Sequence, residues 1–276
     1  MTGIKTVVNQ VQCRIRDYRS RRVRLTESDT IRVLVLPVLE ALGWDLQDVE
    51  EVRSEYRHTS TDNPVDYALF LHAAPSLFVE CKAIGVSLDD RKALLQTLNY
   101  ANAAGVDWCV LTNGAEWRIY KVHAPVAAEE KLFLSTRLDD AGVVIDHVVA
   151  TLSLLSRDRM RDRAIDTLWS EWCVDREVEQ VLDTITGDDA FIRLITRKTD
   201  GLSPAEVRAS LRRSGLRSFY PAVDAVTARL DDPTSADPAA PADPAPDGPA
   251  RARPMRTPEM VERGLLPVGA VLTIKD

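Results

Sequence analysis

Apolar residues recur at helical spacing near the start of the chain. Residues 5–24 predict a polar, basic helix, and "TESDTIRVLVLPVLEALGW" predicts a second one with an apolar stripe along one side. Thr26, followed three residues later by Asp29, approximates a capping box and marks where the second helix begins. Gly43 is a suitable end for it, and Pro37 inside the pattern should kink or divide the helix.

The pattern then changes to that of short strands. Three extended runs, a helix and a strand pair are expected in this order: 50–57, 66–71, 76–83, the helix 89–105, 107–114 and 116–123. The short turn "HAAP" should join the second and third runs into an antiparallel hairpin. Asn113-Gly114 predicts the turn of the last pair.

This order of elements predicts an α/β fold, in which a mixed sheet is flanked by helices and followed by an all-helical region. We place the α/β domain at residues 1–135 and the helical domain at 136–230, where Ser203-Pro204 begins one helix. Residues 231–254 are a Pro/Ala/Asp-rich linker that cannot bury enough apolar surface to fold. Residues 255–276 form a short C-terminal segment that is either the start of a truncated module or a docking tail.

Composition narrows the function only slightly. The chain has 276 residues and a net charge of −7, so bulk electrostatics do not indicate a nucleic-acid binder. The Arg-rich stretches 13–24 and 211–217 are compatible with solvated helix faces and with nucleic-acid contacts alike. No apolar run is long enough for a membrane helix and no signal peptide is present, so we expect a cytoplasmic protein. The four scattered cysteines predict reduced thiols rather than a disulfide framework or a zinc site.

The chemistry lies in "NPVDYALFLHAAPSLFVECKA". Side chains alternate along a strand, so Glu80 and Lys82 share one face, and the hairpin can bring Asp66 beside Glu80. Two carboxylates close together repel unless a cation lies between them, and Mg²⁺ prefers such oxygen ligands together with water. A lysine beside the ion can orient an attacking water. Asp66, Glu80 and Lys82 therefore suit metal-assisted phosphodiester hydrolysis, whereas the other interpretation is a charge ladder on a solvated sheet face.

These residues resemble the signature of the PD-(D/E)XK nuclease superfamily, with one residue inserted between Pro64 and Asp66. The blocks "TESDTIRVLVLPVLEALGWD", "VDYALF", "LFVECKA", "LLQTLNYA" and "VLTNGAEWRIY" are similar to the N-terminal nuclease domain of type I restriction enzyme motor subunits and its stand-alone relatives. The resemblance covers roughly residues 20–125 and implies a restriction-endonuclease-like fold. At the C-terminus, "MVERGLLPVGAVLTIKD" resembles the opening of a RAMA-type module.

The resemblance implies roles for individual residues. Asp66 and Glu80 would ligate Mg²⁺ or Mn²⁺, Lys82 would be the catalytic lysine, and Glu27 resembles an acidic residue that approaches the metal. The remaining assignments are to nucleic-acid contact: Gln96 and Tyr100, which match a Q-x-x-x-Y element, and Arg21 and Arg22 of the first helix.

The expected function is a metal-dependent DNA endonuclease of a restriction or defence system. No Walker-type phosphate loop is present, so a separate motor, methyltransferase or specificity protein would supply any translocation or modification. A homodimer is a further possible assembly. Two alternatives stay open: a catalytically weak module for DNA binding or assembly, and a nuclease directed at RNA.

Overall fold

Six strands form a single sheet in the order in which they occur in the chain, β1-β2-β3-β4-β5-β6. The computed structural model describes residues 3–58, 64–140 and 144–213, and the predicted linker and C-terminal segment lie outside them. The strands are β1 (Val52–Tyr56), β2 (Val65–Leu71), β3 (Ala74–Cys81), β4 (Trp108–Thr112), β5 (Glu116–Lys121) and β6 (Leu132–Arg137). Neighbouring strands are antiparallel except β3 and β4, which are parallel.

Nine helices surround and extend the sheet within the described residues. They are α1 (Ile4–Ser20), α2 (Glu27–Thr30), α3 (Leu36–Ala41), α4 (Arg91–Ala103), α5 (Ile145–Ser153), α6 (Arg157–Arg161), α7 (Ala164–Ile185), α8 (Asp189–Lys198) and α9 (Pro204–Leu211). Because β3 and β4 are parallel, the chain must cross over between them, and α4 is that crossover. The predicted fold class, a mixed sheet flanked by helices with a helical region after it, is confirmed.

The sixth strand was not predicted. β6 extends from Leu132 to Arg137, pairs with β5, and crosses the position at which the sequence suggested the end of the α/β domain. Its polar second half, with Ser135 and Arg137 exposed, lacks the apolar alternation that marked the other strands. Pairing with β5 therefore defines this strand more than its own pattern does.

Two hydrophobic clusters cover the two faces of the sheet. On one face, side chains such as Leu77, Val79 and Trp108 pack with apolar residues of α1, α3 and the start of α7. On the other face, Phe78 and Leu111 pack beneath α4. The central strand β3 thus buries side chains on both of its faces, so its few polar side chains are in places where water is scarce.

The helical region joins the first of these clusters. Val148 and Leu152 of α5 and Ile165 of α7 are fully buried in it. Trp169 and Trp172 stack on one another with their ring centroids 5.0 Å apart, and both meet Phe133 of β6 edge-on. Both tryptophans are partly buried and pack against this cluster. Within the described residues no helix has the length and apolar character needed to cross a membrane.

The second predicted helix is divided into three parts. Thr26 and Asp29 form a reciprocal capping box at the start of α2. Residues Ile31–Val35 then form a π-helical turn, and α3 follows with Pro37 in its first turn. A proline cannot donate its backbone nitrogen and its ring crowds the preceding turn, so the wider π turn accommodates it inside an otherwise continuous helix.

Both predicted hairpins are present, the first with a tighter turn than the sequence suggested and the second with its turn shifted by one residue. His72 and Ala73 alone form the turn between β2 and β3, and both have positive φ. The β4–β5 turn centres on Gly114 and Ala115, one residue later than predicted. Asn113 closes it, since its Oδ1 accepts from the backbone nitrogens of Ala115 and Glu116.

Gly114 brings the β4–β5 turn directly against the second helix. Its φ is +78°, and a Cβ at this position would lie 2.8 Å from the Cβ of Leu34 and 3.2 Å from Cγ2 of Thr30. Thr30 in turn accepts a hydrogen bond through Oγ1 from the backbone nitrogen of Ile84, just beyond β3. Gly114 therefore sets how closely the helix approaches the end of β3.

Gly114→Ala should be markedly more destabilising than Gly105→Ala. Both glycines have positive φ, but a Cβ at Gly105 would meet nothing within 4 Å, so the difference isolates the clash. We expect a loss in the free energy of unfolding of about 1 kcal/mol for Gly105→Ala and about 1–3 kcal/mol more for Gly114→Ala. Denaturant unfolding measures both, and equal losses would contradict the close packing at Gly114.

Candidate active site

The β2–β3 hairpin brings two carboxylates and a lysine together. Tyr67 pairs with Val79, and continuing this register by one residue places Asp66 opposite Glu80. Oδ2 of Asp66 accepts a hydrogen bond of 2.7 Å from the backbone nitrogen of Cys81. Nζ of Lys82 donates to Oε1 of Glu80 at 2.7 Å. The hairpin therefore brings Asp66, Glu80 and Lys82 together, as the sequence predicted.

The face that carries these side chains is covered rather than open. Val79 and Cys81 enter the cluster beneath α1 and α3, so Glu80 points to the opposite side, under α4. The side chains of Glu80 and Lys82 are only 21% and 26% exposed. A charge ladder on a solvated face would be far more accessible, so the geometry favours a site over that interpretation.

Burial shifts the protonation equilibria of the site. Burial raises the pKa of Asp66 above its usual value, against the opposing effects of the Cys81 amide and Lys82. Burial also raises the pKa of Glu80, with help from the negative charges of Asp66 and Glu27 and against its bond to Lys82. Although burial lowers the pKa of Lys82, the bond to Glu80 and the surrounding carboxylates outweigh it, and the net pKa is raised. The lysine therefore carries its charge at neutral pH.

A cleft of about 410 Å³ opens between this strand pair and α4. Its lining includes Glu80 and Lys82 on the sheet side and Gln96 and Tyr100 on the helix side. Residues four apart lie on one face of a helix, and the sequence predicted on that ground that Gln96 and Tyr100 share a cleft. Asn99, which was not singled out, also lines it; its position three residues after Gln96 was the available signal.

Tyr100 contributes to the walls of the cleft in a specific way. Its ring stacks on Phe78 with centroids 5.4 Å apart. Its hydroxyl donates to the carbonyl of Tyr56 at 3.0 Å and accepts from the backbone nitrogen of His58. The hydroxyl therefore holds the end of β1, from which the chain continues towards Pro64 at the rim of the cleft.

Three other predicted site residues lie apart from this cleft. Glu27, at the start of α2, is exposed. Its negative charge contributes to the raised pKa values of Glu80 and Lys82. Arg21 caps the C-terminal end of α1 and pairs with Asp17, and Arg22 follows it with a φ of 53°. The structure does not bring Arg21 or Arg22 into the lining of the cleft.

The donor set suits a hard cation that keeps much of its water. Asp66 and Glu80 offer carboxylate oxygens, and the burial that raises their pKa values makes a compensating positive charge favourable. Within the described ranges, no group of three or more His, Cys, Asp or Glu side chains is arranged to hold a metal ion. Two carboxylates are a donor set that fits Mg²⁺ or Mn²⁺, because water can fill the remaining positions of these ions.

Comparison with known proteins connects this region to restriction enzymes. Residues 31–132 match the family model described as type I restriction enzyme R protein N terminus (HSDR_N). The match covers a little over a third of the chain and includes Asp66, Glu80, Lys82, Gln96 and Tyr100. It supports the resemblance to the restriction-enzyme N-terminal domain. No curated protein and no solved structure matches the chain.

Replacing Asp66 by asparagine should stabilise the metal-free protein at neutral pH. The folded protein raises the pKa of Asp66, so the buried charge is a cost above that pKa that vanishes as the pH falls below it. Asparagine keeps an oxygen for the Cys81 amide without the charge. In EDTA we expect the melting temperature to rise on the order of 1–4 °C at neutral pH, and the gain to shrink in acid. A lower melting temperature at neutral pH would contradict the electrostatic account.

Tyr100→Phe should loosen the end of β1 while leaving the ring stack in place. The carbonyl of Tyr56 and the amide of His58 both lose a partner, at about 0.5–1.5 kcal/mol per hydrogen bond. Hydrogen exchange followed by mass spectrometry should show faster exchange in the peptide that contains His58, with β4 as the internal control. Unchanged exchange at His58 would show that the hydroxyl does not hold this segment.

Proposed function

We propose that this protein is a metal-dependent endonuclease that hydrolyses phosphodiester bonds of DNA within a restriction-type defence system. One observation carries the proposal. Glu80 and Lys82 line a cleft and Asp66 lies opposite Glu80, outside that lining, within a segment similar to the N terminus of a type I restriction enzyme R protein. The family similarity supports the restriction setting, and the side chains supply the chemistry.

In the proposed reaction, water attacks phosphorus as one phosphorus–oxygen ester bond breaks. The attacking water loses a proton to solvent, and the departing oxygen takes a proton from solvent. Asp66 and Glu80 would hold the divalent ion, which when bound stabilises the negative charge that develops on the phosphoryl oxygens. The hydrogen bond from the Cys81 amide keeps one oxygen of Asp66 oriented and leaves the other for the ion. The hairpin therefore holds the carboxylates in place, so they lose little conformational freedom when the ion binds.

Lys82 acts as a charged hydrogen-bond donor in this proposal. Its ammonium group would orient the attacking water or a phosphoryl oxygen. Glu80 holds the ammonium at 2.7 Å and so fixes its direction. Gln96 and Asn99, with neutral amides on the α4 side of the cleft, are placed to contact the substrate strand.

The wider assembly is part of the same proposal. Translocation along DNA, if the system uses it, would come from a separate motor subunit, and modification from a methyltransferase or specificity protein. A homodimer would bring two such sites to one duplex, one for each strand.

Substitution of the acidic and basic members of the site should abolish cleavage. We expect Glu80→Gln and Lys82→Met each to lower the cleavage rate of plasmid DNA in Mg²⁺ or Mn²⁺ by roughly a hundredfold or more. Glu50→Gln and Lys5→Met are matched controls, because both belong to exposed ion pairs, with Arg53 and Asp146 respectively. Agarose gels with unmodified and modified plasmid, with RNA, and with EDTA complete the comparison.

Each outcome separates the possible functions. Cleavage that survives Glu80→Gln and Lys82→Met would reject the site. Binding of DNA without cleavage in either metal would favour a DNA-binding or assembly module, and cleavage of RNA alone would redirect the substrate. A rise in melting temperature with Mg²⁺ that Asp66→Asn removes would show, independently of activity, that the carboxylates bind the ion.

A further inference from the structure

An arginine pair lies at the same end of the sheet as Lys82 of the proposed active site. We propose that this pair, Arg19 and Arg137, binds backbone phosphates of the DNA across one groove from the bond that is cleaved. The proposal rests on the proposed function for the nature of the ligand, but its own evidence is separate. It concerns the start of β5, the end of β6 and the end of α1, and not the cleft.

The sheet register places the pair relative to the catalytic residues. The backbone nitrogen of Lys82 donates to the carbonyl of Thr112, the nitrogen of Asn113 donates to the carbonyl of Glu116, and Glu116 is paired with Arg137. Lys82 and Arg137 therefore lie in one row across the sheet, on β3 and β6. Three strand spacings separate them, about 14 Å.

Both arginines are held by carboxylates that are more buried than they are. Arg137 donates through Nη1 to Glu116 and through Nε and Nη2 to Asp139, and Arg19 donates through Nη2 to Asp139. The side chains of Glu116 and Asp139 are 11% and 5% exposed, whereas those of Arg19 and Arg137 are 52% and 53% exposed. The carboxylates thus orient two guanidinium groups from beneath, and the cationic side faces solvent.

The hydrogen-bond donors of the pair suit an anionic ligand. A guanidinium has five N–H donors, and Arg137 uses three nitrogens on carboxylates whereas Arg19 uses one among the described residues. The adjacent end of α1 carries Arg21, which pairs with Asp17, and is followed by Arg22. Oriented arginines are well suited to phosphate because their planar fork binds two oxygens at once.

The separation along the row suits the two backbones of a duplex. The two strands of a duplex flank the major groove, which is about 12 Å wide, so about 14 Å is close to the spacing of the two backbones across one groove. A duplex with a phosphate of one strand at Lys82 would therefore bring a phosphate of the other strand to the arginine pair. Such contacts position the substrate and carry no sequence preference of their own.

Arg118 is excluded from the proposed contact. Its side chain lies on the same face of β5 as that of Glu116 but is largely buried. It donates to the carbonyl of Leu88 and to the carboxylates of Asp89 and Glu116. It therefore secures the segment before α4 to the sheet. Arg118 therefore has a structural role, whereas Arg19 and Arg137 are the arginines proposed to bind phosphate.

The test is the salt dependence of DNA binding by the full chain in EDTA, where cleavage does not interfere. Fluorescence anisotropy with a labelled duplex would compare wild type with Arg19→Gln, Arg137→Gln and Arg19→Lys. Arg208→Gln is the matched control, because Arg208 is a half-exposed arginine that donates through Nη2 to a single carboxylate, Asp189, in the helical region. Two duplexes of unrelated sequence test whether any effect is independent of sequence.

We expect each glutamine variant to weaken binding of both duplexes by roughly tenfold near 0.1 M salt, and to reduce the slope of log K against log [salt] by about 0.9. Arg19→Lys keeps the charge and should keep most of the slope. Arg19→Gln leaves Arg137 on Asp139, so its fold should persist even if Arg137→Gln proves unstable.

The outcomes separate this proposal from the proposed function. Variants that bind like wild type and like Arg208→Gln would overturn the phosphate contact and leave the nuclease assignment intact. Weakened binding by the glutamine variants of a protein that never cleaves would support the contact and reject the nuclease. A wild-type protein that binds no duplex even at low salt would overturn the contact, and cleavage assays would judge the nuclease separately.

Discussion

The hydrogen bond from the backbone nitrogen of Cys81 to the carboxylate of Asp66 joins the two strands on which the candidate site depends. It fixes the side chain of Asp66 beside β3 at the point where Glu80 and Lys82 emerge under α4. Because side chains alternate along a strand, a slip of one residue in this pairing would move Glu80 into the apolar cluster and Cys81 into the cleft. The two-residue turn at His72 and Ala73 maintains the register from the other end.

Covering both faces of the sheet makes the site electrostatically demanding. Burial raises the pKa of Asp66 and of Glu80, and Lys82 only partly offsets the cost of holding two carboxylates close together. A protein that needed only a stable sheet would have placed apolar side chains there. Such a conflict between local stability and residue type is typical of functional sites, and the proposed divalent cation would relieve it.

Charge at the sheet edge is arranged differently from charge over the whole chain. The net charge of −7 suggests no attraction to nucleic acid, but buried Glu116 and Asp139 orient Arg137 and Arg19 outwards at the edge that also carries Lys82. Because the anionic partners lie below, the guanidinium groups of Arg19 and Arg137 are the exposed members of these ion pairs.

Local patterns were enough to predict most of the elements and to bring Asp66, Glu80 and Lys82 together on one hairpin, whereas the roles of these three residues rest on the resemblance. The capping box at Thr26, the hairpin before Glu80 and the helix with Gln96 and Tyr100 follow from spacing, because these features depend on neighbours within a few residues. Tertiary structure alone decided the rest. It defined β6, whose pairing with β5 outweighs its weak pattern, and it engaged the hydroxyl of Tyr100 with β1. It also put Arg137 rather than Arg21 or Arg22 in the row of Lys82, because contacts between residues far apart in the chain leave no periodic trace in the sequence.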